Sequence, residues 1–518
     1  MNRETIMRSR STVSLFSAWK CLVCTFSLLA FLRVPASAQG YWIQQDRFPM
    51  LRGTTNIGNT RFPGTMEVDL EGYTITLTGS GQNIGGKEDA FFFGWKKISG
   101  DVACQTYVRW KLDGKHPRRS AGWMIRAGLD ANDPFVDAVA HGDRLMSMQY
   151  RAVKGGETAE VKSPIPGMQS FALERTGDQF TFFVQGWDNL WHPIGTITVP
   201  LGDSVYAGLV VCSRDPNALE TATFGNLTFV ERGPVADSAR VIESSLETFD
   251  IGSGIRSFVR RAKEHIEAPN WSRDGTTLLY NSQGRLYSIP AAGGNPQQIL
   301  VGKKDQCNND HGFSWDGSTI AFSHRDTDGL SRIYLAPAKG GKPRLITKNG
   351  PSYWHGWSPD GKTLAYCAER KGEFDVYTIP VGGGKETRLT SSPGLDDGPE
   401  YSPDGKTIYF NSVRTGQMKI WKMNADGSHQ EQFTPDDDYA DWFPHPSPNG
   451  KHIVFLSYHK SVEGHPPNKD VVLRLMPTGG GEVKTLARLF GGQGTLNVHS
   501  WSPDSKKFAF VSYRLVPR

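Results

Sequence analysis

"WSPDGKTLAY", Trp357–Tyr366, decides the fold. Its centre is turn chemistry: Pro359 presets φ, Asp360 can bond back to the local backbone, and Gly361 accepts positive φ. Apolar residues resume at Leu364 as a buried strand. The signature occurs six times in all. The other copies are "NWSRDGTTLLY" from Asn270, "FSWDGSTIAF" from Phe313, "YSPDGKTIYF" from Tyr401, "PSPNGKHIVF" from Pro446 and "WSPDSKKFAF" from Trp501. The signature serines (Ser272, Ser314, Ser358, Ser402, Ser447 and Ser502) are spaced by 42, 44, 44, 45 and 55 residues. That length suits four short strands per unit. A third strand follows the turn ("RIYLAP", "DVYTIP", "KIWKMN"), and a Gly-rich turn leads to a fourth. Such a unit cannot bury its sheet faces alone, so the units are expected to pack radially as a β-propeller.

The final copy stops at Arg518 after two good strands. Ser245 to Ser272 has the outer-strand pattern without preceding inner strands, so it is expected to complete that blade and close a ring of six with chain from both ends. The "WSPDGK…YF…IY…DGG…RLT" units resemble the TolB-type propeller repeat over Ser245–Arg518. The resemblance implies a six-bladed propeller. It also implies a role like that of TolB, a periplasmic protein-binding component of an envelope system. The chain departs from TolB in lacking anything like its N-terminal α/β domain.

The N-terminus reads as a signal peptide at 1–38. Arg3, Arg8, Arg10 and Lys20 precede the apolar "CLVCTFSLLAFL", and "ASA" at Ala36–Ala38 supplies the small residues for cleavage. The apolar run is short for a membrane span, and none longer follows. A periplasmic or secreted protein is expected. Residues 1–38 hold five basic residues and one acid, so +4 of the net charge of +5 leaves with them. The near-neutral remainder gives no basic stripe for nucleic acid. Four cysteines remain: Cys104, Cys212, Cys307 and Cys367. Export permits a disulfide in each half, and buried free thiols are the ordinary alternative.

Residues 39–232 alternate differently. "VACQTYVRWKL", "AGWMIRAGL", "FALERTGDQFTFFVQG", "HPIGTITVP" and "VYAGLVVCSR" read as strands of an antiparallel sandwich. In their order these segments resemble the concanavalin-like jelly-roll domain of secreted bacterial proteins, some of them labelled enolase-regulation proteins. That architecture raises the expectation of a glycan ligand by analogy. Trp123, Trp187 and Trp191 could stack on sugar rings or simply pack in core and turn. Residues 233–244 read as a linker and 245–518 as the propeller.

In a propeller blade the start of the first strand and the loop after the second share one face. Three residues before the signature serine stand His311, His355 and His499, with His445 one place later. Asn309, Asp310, Tyr353, Trp354, Asp397, Glu400, Asp441, Trp442 and Asn497 lie close by. Past the second strand come Arg370, Arg414 and Arg514. One funnel mouth is therefore expected to gather imidazoles and carboxylates, with guanidiniums around them. The ligand-binding candidates are His311, Tyr353, His355, Arg370, Glu400, Arg414, Trp442, His445, His499 and Arg514. Neutral imidazoles with a carboxylate suit a divalent metal at the axis, with His311, His355 and His499 as ligands, and guanidiniums suit carboxylate or sulfate. The bland alternative is that these residues cap strand ends and line a solvated channel.

No phosphate loop, nucleotide fingerprint, HExxH, paired CxxC or GxSxG is present. The favoured expectation is an exported two-module binding protein recognising a glycan, acidic or neutral, or an envelope protein. The alternative is a metal-assisted lyase or hydrolase of acidic oligosaccharides, in which a basic side chain removes a proton beside the uronate.

Overall fold

Each signature serine closes its own turn. Ser358 Oγ donates to Asp360 Oδ1 at 2.6 Å and accepts from the Thr363 amide at 2.9 Å, while the Lys362 amide donates to Asp360 Oδ1 at 3.0 Å. The serine bonds recur at Ser272, Ser314, Ser402 and Ser502 with an aspartate two residues on, and at Ser447 with Asn449. Gly361 sits at φ +70°, the left-handed region the turn requires. The last copy lacks that glycine, and Ser505 takes φ +60° instead. Its hydroxyl accepts the Asn449 amide at 3.0 Å, tying the last turn to its neighbour.

The computed structural model describes residues 51–517 except 112–113, 115, 166–169, 188 and 234–239. The expected signal peptide and half of the expected linker, 234–239, lie outside the described residues. The protein is all-β apart from one 3₁₀ turn at Gln493–Thr495 among the described residues.

Five four-stranded antiparallel blades follow one another from Ile266 to Gly491. The sixth joins both ends of the propeller: Trp501 bridges Phe508, Lys507–Pro517 pairs with Arg240–Asp250 over its full length, and Arg256–Ala262 lies outermost. The ring-closing strand thus begins at Arg240, five residues before the boundary read from the sequence, because Arg240–Ser244 continue the pairing as far as Tyr513–Pro517. Neighbouring blades pack through tryptophans near the turns: Trp357 Nε1 points at Gly312 O (3.4 Å) and Trp501 Nε1 at His445 O (2.8 Å).

The N-terminal half forms two seven-stranded antiparallel sheets, one running from Gly53–Ile57 to Ala159–Lys162 and the other from Trp191–Thr198 to Thr65–Asp69. Their facing sides share one core around Trp123, Phe171, Phe182 and Leu209. Trp123 is buried there and so is unavailable to a sugar, whereas Trp187 is 74% exposed on its hairpin and Trp191 is half-buried. All four described cysteines are free and buried, so neither half carries the disulfide that export would permit.

The two halves are tied by specific bonds. Glu174 accepts from Arg232 (2.7 Å) and from propeller residue Arg514 (2.9 Å). Asp101 takes both forks of Arg240 at 2.8 and 3.0 Å, and Thr198 donates to Asp470 at 2.9 Å.

Candidate functional site

The innermost strand of each of the first five blades breaks register at the same place. The shifts fall between Glu267 and Asn270, Cys307 and His311, Trp354 and Gly356, Asp397 and Glu400, and Trp442 and His445. A β-bulge inserts residues that have no partner across the ladder and re-aims their side chains. Here it turns them toward the propeller axis. In the fourth blade Gly398 makes the bend at φ +62°, and an added Cβ would lie 2.4 Å from Asn411 Oδ1. Asp310 and His355 lie within such breaks, while His311, Asp397, Glu400 and His445 are the paired residues that flank them.

Two clusters result. In one, Glu400 joins two imidazoles: Oε2 accepts from His445 Nδ1 at 2.6 Å and Oε1 from His499 Nδ1 at 2.5 Å. Burial opposes the charge on Glu400, but the two imidazoles outweigh it and hold the carboxyl below its ordinary range. A carboxylate can only accept, so both histidines carry their proton on Nδ1. Both Nε2 atoms are buried with no hydrogen-bond partner. Beside this cluster lies a space of about 20 Å³ bordered by Asn270, Arg273, Trp315, Trp354 and His355. It is large enough for a single water.

The other cluster lines a cavity of about 500 Å³ open at the face where the first strands begin. Asp310, Tyr353, His355, Phe374, Asp397 and His465 contribute to its wall, and Gln493 completes it from the turn that leads into the last blade. His355 Nε2 stands 3.1 Å from Asp397 Oδ1. Burial opposes charge on His355, but Asp397, with Asp310 and Glu400 behind it, outweighs burial and raises the imidazole pKa. Burial would likewise raise Asp397, yet His355 holds it down at about 2. Asp310 has no such close cation. It accepts from Asn497 Nδ2 at 2.7 Å, and burial pushes its pKa up to about 6 despite the more distant His355.

The sequence candidates separate accordingly. Tyr353 and His355 line the cavity; Glu400, His445 and His499 form the inner clasp; Trp442 is buried behind it, its ring 4.4 Å from that of His465. His311 is fully buried, neither ring nitrogen has a partner, and burial pulls its pKa down to about 3. The structure does not bring His311, His355 and His499, the expected metal ligands, together as one set. His355 faces Asp397, His499 faces Glu400, and among the described residues no group of three or more such side chains could hold a metal ion.

The guanidiniums also differ from expectation. Arg370 forms a two-pronged pair with Glu386 at 2.9 and 2.8 Å, Arg414 pairs with Asp396 at 2.8 Å, and Arg514 pairs with Glu243 and Glu174 at 2.8 and 2.9 Å. None is left to select an anionic ligand at the mouth. The carboxylates Asp310 and Asp397 dominate it instead, together with Phe374 and His465. His465 comes from the segment that makes the last repeat interval 55 residues rather than 42 to 45. That excess length was the available signal. Cys367 also reaches the cavity, but burial raises its thiol pKa well above the ordinary value, so it is no ready nucleophile.

A family model described as the TolB beta propeller domain matches residues 355–471. Over 273 residues the chain is 53% identical to an uncharacterised protein of Agrobacterium fabrum, spanning 52% of this chain and 93% of the relative. A solved structure from Agrobacterium tumefaciens, provisionally named TolB, is 52% identical with a TM-score of 0.52, covering 53% of this chain and 99% of that one. TolB from Acinetobacter baumannii is 19% identical with a TM-score of 0.38, covering 61% of this chain and 81% of that one.

Proposed function

Because the chain belongs to the TolB-type β-propeller family, we propose that it is an exported binding protein of the cell envelope that takes a protein partner at the axial mouth of its propeller. The observation that carries this reading is the 500 Å³ cavity, to which four of the six blades and the Gln493–Thr495 turn contribute side chains. Clefts of this size with a few convergent polar groups are the usual places for ligands. Two further points support it. The arginines that an acidic glycan would need are engaged internally, and among the described residues no group of three or more His, Cys, Asp or Glu side chains is assembled to hold a metal ion. Residues 39–232 are proposed to be a concanavalin-like sandwich, bonded to the propeller edge at Glu174, Asp101 and Thr198.

A photo-crosslinking residue placed at Tyr353, on the cavity wall, tests the reading. The same residue at Asp360, in an exposed turn on the opposite face, is the control. In exporting cells, Tyr353 should give a discrete protein adduct that Asp360 does not. Identical adduct patterns from both positions would refute partner capture at the axial mouth.

A further inference from the structure

We propose that the axial cavity receives an organic cation, an ammonium or guanidinium carried on an aliphatic stem by the docked partner, with Asp310 and Asp397 as its counter-charges. The inference rests on the reading that a partner docks at this mouth, and it names the chemistry of the group that enters.

The first argument is charge balance. Asp310 and Asp397 are 3% and 8% exposed on the innermost strands of the second and fourth blades. Between them stands a single imidazole, His355, whose close contact is with Asp397. Asp310 is left with two amides, Asn497 and Asn308, where a buried carboxylate is ordinarily paired with a cation. Its pKa, pushed up by burial, reports the same shortage. The other imidazole in the wall, His465, is lowered by burial against the pull of Asp397 and so supplies little positive charge. An entering cation would fill this deficit.

The second argument is the remainder of the wall. Tyr353 and Phe374 stand side by side with ring centroids 6.4 Å apart, and both border the cavity with Leu395. Ring faces attract ammonium and guanidinium groups, and apolar wall accepts a methylene stem. A bare divalent ion would instead need several convergent oxygen or nitrogen donors. Among the described residues no group of three or more His, Cys, Asp or Glu side chains is placed to hold one. The site therefore fits a soft, hydrogen-bonding cation rather than a metal. A lysine or arginine side chain and a chain-terminal amine share this chemistry.

Calorimetric titration of the full chain distinguishes the sources and tests the class. The probes are short capped peptides that differ only in a central lysine, arginine, glutamine or glutamate, an uncapped glycine peptide, and calcium chloride. At least one cationic peptide should bind about ten- to a hundredfold tighter than the glutamine peptide, the range of one charge-assisted hydrogen bond. The tightest of the three identifies side chain or terminus. Asp310→Asn should erase the preference for charge. Phe374→Leu, which leaves the carboxylates in place, should weaken the cationic peptides and provides a second variant if the first folds poorly. Leu395→Trp, which fills the cavity without altering its charge, should abolish binding of every peptide.

Equal affinity for lysine and glutamine peptides, still blocked by Leu395→Trp, would overturn the cation while leaving the axial site standing. Binding indifferent to Leu395→Trp and to Asp310→Asn would overturn both. Calcium that displaces the cationic peptides and is itself lost in Asp310→Asn would make this a metal site and overturn the proposal. So would the failure of every cationic probe to bind.

Discussion

Replacing Arg414 by alanine separates a structural arginine from a ligand-selecting one. Its guanidinium lies 2.8 Å from Asp396, whose side chain is 1% exposed, and bonds Gln430 at 2.6 Å and Ser412 at 2.7 Å. It also stacks 4.6 Å from the Trp421 ring. The attraction of such a pair at an effective dielectric of about 20 is about 4 kcal/mol, much of it offset by desolvation. Deleting one partner removes the attraction but leaves Asp396 buried, which costs about 3–5 kcal/mol. Arg414 itself is 13% exposed, which argues for the lower end, about 3 kcal/mol. For a cooperative unit the size of the propeller this lowers Tm by about 6–12 °C. Scanning calorimetry of Arg414→Ala measures it directly. Adding Asp396→Ala should restore part of the loss, because it removes the stranded charge. If Arg414→Ala melted with the wild type yet lost affinity for acidic ligands, the structural assignment would be refuted.

Asp310 predicts a pH dependence. Its folded pKa of about 6 lies above the unfolded value of about 4, so the folded state holds the proton more tightly. Its stabilising contribution is complete below about pH 4 and is lost as pH rises through about 6; urea midpoints across that window should show a component absent from Asp310→Asn. Removing Lys507–Pro517 should open the ring, since that strand pairs with Arg240–Asp250 throughout, and the exposed edge should aggregate on size-exclusion chromatography. An unchanged monomer peak and melting curve would refute closure by that strand.

The propeller was legible because its information is local. Ser358, Asp360 and Gly361 define a turn among themselves, and the spacing of the copies sets the length of a blade. The ring closure was legible by subtraction, because two strands at the C-terminus lacked partners that Ser245–Ile266 could supply. The bulges were not visible. Nothing in "SYWHGW" marks the residue that slips out of register, yet the slip at Trp354–Gly356 is what turns His355 to the axis. Asp310 and Asp397 were legible as carboxylates near the mouth, but their meeting in one cavity wall depends on two separate blades.

The arginines recur in the sequence together with their partners. In the third blade Arg370 is followed by Tyr377 and then Glu386; in the fourth, Arg414 is followed at the same offsets by Trp421 and Gln430. Each guanidinium stacks over the aromatic residue of the third strand, at 5.5 and 4.6 Å, and bonds the acceptor beside the fourth. The repeat therefore specifies a clamp that holds three strands of one blade together. In the sixth blade the corresponding Arg514 finds its acceptor, Glu243, on the ring-closing strand and a second, Glu174, in the N-terminal half. A periodic residue whose partners share its period answers a need of the blade itself. Asp310 and Asp397, whose surroundings differ from one blade to the next, are the residues that such a need does not explain. That asymmetry is why the candidate site belongs to the carboxylates and not to the guanidiniums.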